Sequence, residues 1–512
     1  MRRTAVVLCL FVTWILVANG QDSRAGIYDV RAFGAKGDGK TLDTTAINKT
    51  IDAAAAAGGG TVRFPAGSYL SFSIHLKSNI TLYLDQGATI VAADPMTDHG
   101  TYDPPETNQW DQYQDFGHSH FHNSLIWGEA LANVSIVGPG LIWGKGLVRS
   151  NTVPEGGGNK SISLKLSRNV VIRDISILHG GHFAILATGV DNFTIDNIKV
   201  DTNRDGIDVD SCRNVRISNV SINSPFDDAI CLKSDYALGF ARATENVTIT
   251  NSQVSGYDEG SFLDGTYKRM DPKTYSKGRT TGRVKFGTES NGGFKNITIS
   301  NIVFDYSRGL ALEEVDGGIF EDVTINNITM RDVVNPPIFI RLGNRARGPK
   351  ETTTVGAIRR LSISNVTVYN ADAQYGSIIS GIPGHYIEDV KLNNIQILYK
   401  GGGTVAQAQR EPPEEEAAYP EPDMFGDVPA YGFFVRHVKG LEMNNVEVRY
   451  MKDEFRPAFT LFDVKNSIFR FVNAQHGPGI PAFSLQDVGD FTTFQSSVPD
   501  TKLEVSKGKK TL

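Results

Sequence analysis

Three short stretches of the chain share one pattern: Asn-Val-Val-Ile-Arg-Asp-Ile at residues 169–175, Asn-Phe-Thr-Ile-Asp-Asn-Ile at 192–198 and Asn-Val-Arg-Ile-Ser-Asn-Val at 214–220. Their first residues are 23 and then 22 positions apart. In each stretch apolar and polar residues alternate, as in a strand with one buried face. The pattern returns as far as residue 443, so a repeat organises most of the chain.

A repeat of this length, with short strands, asparagines at the turns and no helical periodicity, is typical of a single-stranded right-handed parallel β-helix. Leucine-rich repeats have similar periods, but this chain lacks their Leu-x-x-Leu-x-Leu frame. We therefore predict an all-β fold of stacked coils. A helix from Asp43 or Thr44 to Ala57, ended by the glycines at 58–60, is predicted to cap the N-terminal end.

The composition excludes several classes of protein. Of the 512 residues, 40% are hydrophobic and 21% charged, which excludes a disordered chain and a multispan membrane protein. The net charge of −6 argues against non-specific binding of nucleic acid. Besides Cys9, Cys212 and Cys231 are too few for a disulfide scaffold or a structural zinc site. We expect a monomer with no nucleic-acid partner and no membrane span.

The first residues are typical of an export signal. Arg2 and Arg3 precede an apolar run at 5–17, and small residues at 18–20 offer a cleavage site. The run is shorter than the roughly 20 residues that span a bilayer, so we predict a cleaved signal peptide and a secreted or periplasmic protein; an uncleaved anchor is the alternative. The predicted division is 1–20 signal peptide, 21–70 N-terminal cap, 71–490 β-helix and 491–512 C-terminal tail.

The repeat predicts that acidic residues lie above one another. Asp205 and Asp227 each follow the first asparagine of a repeat by 13 residues, Asp228 is next to the second, and Glu259 has the same place in the following coil. Coils of a β-helix are about 4.8 Å apart, so these residues are expected to share one face. Carboxylates this close raise one another's pKa, which a structural sheet avoids but a glycosidase requires. Solvated loop acids or calcium ligands are the alternative.

The segments around these acids resemble a known family. Asn-Arg-Asp-Gly-Ile-Asp at 203–208 and Asp-Asp-Ala-Ile-Cys-Leu-Lys-Ser at 227–234 resemble the catalytic core of glycoside hydrolase family 28, the polygalacturonase and rhamnogalacturonase family. The resemblance extends to 32–39, 59–67 and 133–140. It implies the pectin-lyase-like form of the β-helix. It also implies an inverting hydrolase of pectic polysaccharides or oligosaccharides, with no metal and no other cofactor.

The resemblance also implies roles for individual residues. Asp227 matches the general acid, Asp205 and Asp228 match the pair that positions and deprotonates water, and Asn203 matches the asparagine of the family's Asn-Thr-Asp motif. Arg204 replaces the threonine of that motif and is predicted to lower the pKa of an aspartate or to hold a substrate carboxylate. Inversion requires room for a water between carboxyl groups roughly 6.5–9.5 Å apart.

The chain departs from the family at two motifs. Neither register places a histidine where the family has Gly-His-Gly. The family's Arg-Ile-Lys, which binds a uronate carboxylate, aligns with Ala-Leu-Glu at 311–313, where a uronate would meet an acid. Two interpretations remain open: nearby cations (Arg283, Lys285, Arg341) replace the motif, or the subsite holds a neutral sugar such as rhamnose through Glu289 or Glu313. The missing motif predicts weak activity on plain polygalacturonate.

Other features near the predicted site are less specific. His182 precedes Asp205 by 23 residues and is expected directly beneath the acids, as a subsite residue or a plain loop histidine. Three stretches interrupt the repeat, at 97–122, 260–282 and 401–427. The first contains a His-x-His-x-His run, for which a metal role is the weaker interpretation, and aromatic residues suited to stacking on sugars. The last, acidic and proline-rich, is most simply a solvated loop.

The sequence therefore predicts a polygalacturonase-like hydrolase, with a rhamnogalacturonan hydrolase or an exo-acting rhamnosidase as alternatives. Two further alternatives belong to other classes: a calcium-dependent polysaccharide lyase and a non-catalytic glycan-binding β-helix. The candidate catalytic and substrate-binding residues are Asp205, Asp227 and Asp228, and Asn203, Arg204, His182, Glu259, Arg283, Lys285, Glu289, Glu313 and Arg341.

Overall fold

The computed structural model describes residues 26–115, 117–271 and 280–512, so the predicted signal peptide lies outside the described residues. Its α-helices are α1 (Thr44–Ala56) and α2 (Val405–Ala408), and short 3-10 turns span Val30–Phe33, Asp111–Tyr113 and Pro422–Phe425.

The strands, in chain order, are β1 Ile27–Asp29, β2 Asp38–Leu42, β3 Gly60–Phe64, β4 Gly67–Ser71, β5 Ile74–His75, β6 Ile80–Leu84, β7 Ala88–Ala92, β8 Ser124–Glu129, β9 Ala132–Val137, β10 Leu141–Trp143, β11 Lys160–Lys165, β12 Arg168–Arg173, β13 Ser176–Leu178, β14 Phe183–Thr188, β15 Asp191–Asp196, β16 Lys199–Asp201, β17 Asp205–Asp210, β18 Arg213–Ser218, β19 Ser221–Asn223, β20 Ile230–Lys233, β21 Thr244–Ser255, β22 Val284–Phe286, β23 Phe294–Asp305, β24 Leu310–Glu314, β25 Ile319–Arg331, β26 Ile338–Leu342, β27 Ala357–Ala371, β28 Ser377–Ser380, β29 Ile387–Gly401, β30 Phe433–Lys452, β31 Phe459–Arg470, β32 Asn473–Ala474, β33 Phe483–Phe494 and β34 Thr501–Thr511.

Each coil contributes strands that pair in parallel with the same strands of the next coil. In the three repeats identified from the sequence, Ile172 of β12 lies opposite Ile195 of β15, which lies opposite Ile217 of β18. From β21 onward two strands of a coil merge, since β18 and β19 both pair with β21. The predicted right-handed parallel β-helix is confirmed.

The alternation in the repeat determines which side chains fill the rod. Val170, Ile172, Phe193, Ile195 and Ile217 point inward and are at most 1% exposed. The polar residues between them face outward, as a half-buried strand requires.

Asparagines at the turns form rows along the rod. Asn192, Asn214 and Asn246 each have a positive φ, between 54° and 57°, which asparagine tolerates better than most residues. The side-chain amide of Asn214 donates to Asn192 at 3.2 Å and accepts from Asn246 at 3.1 Å. The full row is Asn79, Asn133, Asn169, Asn192, Asn214, Asn246 and Asn296.

The two ends of the rod are built differently. Helix α1 buries Ile47, Ile51 and Ala54 against the first coils, and Asp43 accepts hydrogen bonds from backbone amides at 36 and 37 instead of capping the helix. At the other end β34 pairs antiparallel with β33. Strands already stack within residues 27–64, inside the segment assigned to the cap from the sequence.

Two findings bear on the expectations from composition. Cys212 and Cys231 are buried and unbonded. Within the described ranges, none of the helices combines the length and the apolar character needed to cross a bilayer.

The asparagine row generates a prediction for stability. Asn214→Ala removes two side-chain hydrogen bonds, each contributing about 1 kcal/mol, and leaves a β-carbon in a left-handed turn at a cost of about 1–2 kcal/mol. Asn214→Gly removes the same hydrogen bonds without the backbone cost. We expect the melting temperature to fall in the order wild type, Gly variant, Ala variant. Equal values for the two variants would exclude the backbone contribution.

Candidate active site

The predicted acids lie on the outer face of one stacked sheet. Leu186, Asp208, Cys231, Lys285 and Ala311 lie opposite one another in successive coils of this sheet. A cavity of ≈ 690 Å³ covers the face, and segments between residues 115 and 423 line it. Register thus brings residues that are far apart in the sequence to one wall of one cavity.

The structure brings Asp205, Asp227 and Asp228 together. One carboxylate oxygen of each lies within 4.8 Å of the others. Asp205 and Asp228 are 4% and 2% exposed, whereas the side chain of Asp227 is 25% exposed. The nearest oxygens are therefore closer than the separation of roughly 6.5–9.5 Å expected for inversion.

The register differs by one residue from that predicted. Ile207 lies opposite Ile230, a spacing of 23 that makes Asp228, not Asp227, level with Asp205. The extra residue is accommodated in the turn before β20. Similarly, Phe183 lies opposite Asp205, so His182 is level with Arg204 and not directly beneath Asp205.

Two cations contact Asp228. The Nε atom of Arg283 is 2.7 Å from one carboxylate oxygen, and the Nζ atom of Lys285 is 3.6 Å from the other. Burial alone would raise the pKa of Asp228, but the charges of Arg283, Lys285 and Lys233 hold it below its usual value. Asp228 is therefore ionised at neutral pH.

Asp205 has the opposite electrostatic environment. Burial, together with the charges of Asp208 and Asp227, raises its pKa well above that of an ordinary aspartate. Its carboxylate accepts a hydrogen bond from the backbone amide of Asp228 at 3.3 Å. Two adjacent carboxyl groups with pKa values moved apart are the arrangement on which acid–base chemistry relies.

Arg204 forms the side of the cavity near Asp227. Its Nη2 atom is 2.6 Å from Asp227 Oδ2 and 3.3 Å from His182 Nε2. His182 is buried, and burial together with the charges of Arg204 and His118 lowers its pKa to about 2. His182 is thus a neutral ring that supports the Arg204–Asp227 pair.

Behind the acids lies a buried charged group from three coils. Glu289 is 3.3 Å from Lys233 Nζ and 3.4 Å from His118 Nδ1, and it accepts a hydrogen bond from the backbone amide of Asp115. Burial would raise the pKa of Glu289, but Lys233 and His118 lower it well below its usual value. Sequence reasoning had not assigned a role to Lys233.

Several predicted residues lie elsewhere. Arg341 does not line the cavity, because its guanidinium donates to the carbonyls of Glu414 and Glu415 beneath the 401–427 stretch. Glu259 pairs with Arg149 at 3.1 Å, and burial raises its pKa to about 7.

Two more predicted substrate-binding residues have other partners. The backbone carbonyl of Asn203 accepts a hydrogen bond from the amide of Phe226, and Asn203 does not line the cavity. Glu313 is fully buried 3.6 Å from Lys285 and lies behind the cavity wall; burial raises its pKa to about 7.

The 401–427 stretch is not simply a solvated loop, because it carries three cavity-lining residues that sequence reasoning missed: Tyr419, Glu421 and Asp423. The hydroxyl of Tyr419 is 2.9 Å from Thr288 Oγ1. Glu421 contacts Arg283 and Arg308, another lining residue that was missed. The only signal in the sequence was the interruption of the repeat at residue 401.

Among the residues that the structure describes, two groups of side chains have the donor atoms of a metal site. Asp205 belongs to both, with Asp227 and Asp228 in one and with His118 and Asp208 in the other, and in each the donor atoms lie within 4.8 Å. Arg204, Arg283 and Lys285 adjoin the first group and Lys233 the second. These positive charges compete with a bound cation.

The fold and the acidic cavity define a protein of the pectin-lyase-like β-helix class. The model of "Glycosyl hydrolases family 28" matches residues 103–261, and that of "Rhamnogalacturonase A/epimerase, pectate lyase-like" matches residues 27–138. The resemblance to glycosyl hydrolase family 28 found in the sequence is confirmed by this match.

Similar proteins share parts of the chain. A "Probable polygalacturonase" of Vitis vinifera is 25% identical over 58% of this chain and 60% of its own length. An "Exo-poly-alpha-D-galacturonosidase" of Dickeya chrysanthemi is 28% identical over 40% of this chain and 33% of its own length. The chain thus matches less than two thirds of either relative.

Solved structures share the fold. A family 28 exopolygalacturonase of Yersinia enterocolitica superposes with a TM-score of 0.65 at 20% identity, over 86% of this chain and 78% of that chain. An exopolygalacturonase of Thermotoga maritima gives a TM-score of 0.57 at 17% identity, over 95% of both chains.

The raised pKa of Asp205 generates a prediction for stability against pH. Below the ordinary aspartate value of 3.8, folded and unfolded forms are both protonated, and the residue contributes no difference. Above it the unfolded form ionises while the folded form stays protonated, so the wild type loses stability that Asp205→Asn retains. We expect the melting temperature of the variant, relative to wild type, to rise as the pH increases above 3.8. A difference that does not vary with pH would contradict this electrostatic description.

Proposed function

We propose that the protein is a glycoside hydrolase that cleaves pectic polysaccharide, and that it inverts the anomeric centre. The observation that supports this proposal is the meeting of three carboxylates within 4.8 Å, in which the pKa of Asp205 is raised and that of Asp228 is lowered. The family match and the names of the relatives support the same chemistry and substrate class.

The residues divide the reaction as follows. Asp227, on the open side of the cavity, donates a proton to the glycosidic oxygen as the bond to the anomeric carbon breaks. A water attacks that carbon and transfers its proton to Asp228, while Asp205 holds the water through a hydrogen bond. The Asp227 carboxylate left after proton transfer is stabilised by Arg204, 2.6 Å away. No step requires a metal or another cofactor.

Inversion is the finer part of the proposal. It rests on the contacts of Asp228 and on the family resemblance, and not on the spacing of the carboxylates, which is shorter than that expected for inversion. The two contacts of Asp228 with Arg283 and Lys285 hold its oxygens, which suits a base for water better than a nucleophile attacking carbon. The first product formed from a pectic oligosaccharide is therefore expected with inverted configuration, as followed by NMR. A first product of retained configuration would make one carboxylate a nucleophile and would overturn this part.

The proposal extends to location and assembly. We propose that the protein is exported, that residues 1–20 are cleaved as a signal peptide, and that the mature protein is a monomer. Mass spectrometry of the protein recovered from the medium or periplasm tests the cleavage site, and light scattering tests the monomer.

A variant of the proposed acid tests the mechanism. Asp227→Asn cannot donate the proton, so we expect the release of reducing ends from pectic polysaccharide to fall by about 10²–10⁴-fold. The melting temperature should stay close to that of wild type, because a partly exposed ion pair contributes only about 0–1 kcal/mol.

Asp258→Asn, which removes an exposed acid outside the cavity lining, is the matched control. Full activity of the Asp227 variant would remove Asp227 from the mechanism. Unsaturated products and inhibition by a chelator would instead identify a lyase, and absence of cleavage by wild type would favour a non-catalytic glycan-binding protein.

The cations around Asp228 determine the pH at which the base is ionised. Lys285→Met removes one charge that lowers the pKa of Asp228, so this pKa rises. Because the base must be ionised, the acidic limb of the kcat/KM profile is expected to move to higher pH, with the loss of activity greatest below neutrality. Lys295→Met, at a partly exposed pair with Glu321 outside the cavity lining, should leave the profile unchanged. An unmoved acidic limb in the Lys285 variant would argue against Asp228 as the base.

A further inference from the structure

We propose that Glu421 determines which sugar the cavity accepts. Its carboxylate binds Arg283 and Arg308 next to the catalytic acids, in the place that a substrate carboxylate would take. The adjoining subsite therefore binds a neutral sugar and rejects a uronate. This inference rests on the proposed hydrolase function and specifies its substrate at the subsite next to Asp228.

The carboxylate of Glu421 is bound as a substrate carboxylate would be. Its Oε1 atom is 2.5 Å from Nη2 of Arg283, and its Oε2 atom is 2.8 Å from Nη1 of Arg308. Arg283 is 3% exposed and also contacts Asp228, so few of its donors remain for a ligand. Two arginines facing one carboxylate are a strong, directional arrangement, and here the protein itself supplies the carboxylate.

The other cations of the cavity wall also have acidic partners. Lys285 contacts Asp228 and Glu313, Lys233 contacts Glu289, and Arg204 contacts Asp227. Acidic side chains outnumber basic ones in the lining that the structure describes. The basic members are Arg204, Lys233, Arg283, Lys285 and Arg308, and the acidic members are Asp115, Asp205, Asp227, Asp228, Glu289, Glu421 and Asp423. With Asp205 and the proposed acid Asp227 protonated, the remaining acids balance the basic residues, each of which already has an acidic partner. A uronate therefore gains no net attraction from the lining.

The backbone around Glu421 is held in place. Arg341 donates to the carbonyls of Glu414 and Glu415, and Arg436 donates to those of Pro412 and Pro413, at 2.8–3.0 Å. Both arginines are buried on the outer face of the sheet, under this stretch. These contacts fix the 401–427 stretch over the cavity, so Glu421 acts as a fixed part of the wall.

The experiment compares two substrates that differ only in charge: an oligogalacturonate and the same oligosaccharide after reduction of its carboxyl groups. The proteins are wild type, Glu421→Gln and Glu416→Gln, a control that removes one charge from an exposed residue of the same stretch outside the cavity. The readout is the ratio of kcat/KM for the neutral and the acidic substrate. Calorimetric binding of galactose and galacturonate is measured in parallel.

We expect wild type and Glu416→Gln to prefer the neutral partner in both measurements. In Glu421→Gln the ratio should change in favour of the acidic substrate by about 10- to 100-fold, which is the effect expected when one hydrogen bond to a charged group is gained or lost. A wild type that prefers the uronate, or a Glu421 variant with an unchanged ratio, would overturn the proposal. If wild type cleaves neither substrate and releases no reducing ends from rhamnogalacturonan, the hydrolase proposal fails, and the binding preference still decides the role of Glu421.

Discussion

In-register parallel pairing is the constraint on which the rest of this protein depends. Each coil lies one strand spacing above the last, so any side chain has a neighbour from the same position of the adjacent coils. Apolar residues at the inward positions gain a continuous core from this arrangement, and asparagines at the turns gain a partner on each side. The same rule brings Asp205 next to Asp228, although Asp228 follows Asp205 by 23 positions in the sequence. The regular packing along the rod and the close approach of like charges in the cavity thus both result from the parallel pairing.

The cavity resolves that strain by pairing charges across coils. Asp228 is kept ionised by Arg283 and Lys285 of the following coil, whereas burial and acidic neighbours raise the pKa of Asp205. A chain of charges extends outward from this pair through Arg283 to Glu421 and Arg308. The chemistry of the acids and the choice of sugar are therefore linked, because one guanidinium contacts both the proposed base and the residue proposed to select the substrate.

The sequence predicted the features that repeat and missed those that do not. The alternation at 169–175 and its copies predicted the β-helix, the inward residues and the meeting of the three aspartates. Counting residues gave the wrong neighbour for Asp205, because one extra residue in a turn changes the level at which a side chain lies. Tyr419, Glu421 and Arg308 were missed because the contacts of the 401–427 stretch depend on long-range packing, which leaves no local periodicity. Arg341 was predicted as a cation that replaces the missing motif, but its contacts with the backbone of that same stretch could not be read from the sequence.

The positions of the interruptions have a consequence for how such a rod can change. Two corners of the coil carry the asparagine rows, of which the second runs through Asn251, Asn301, Asn327, Asn365, Asn394 and Asn445. The stretches at 97–122, 260–282 and 401–427 all enter at the remaining corner, between the last strand of one coil and the first strand of the next. Insertions or substitutions at that corner leave the stacked strands and the asparagine rows unchanged. New specificities can therefore evolve at this corner without a compensating change in stacking, because these three stretches lie apart from both asparagine rows.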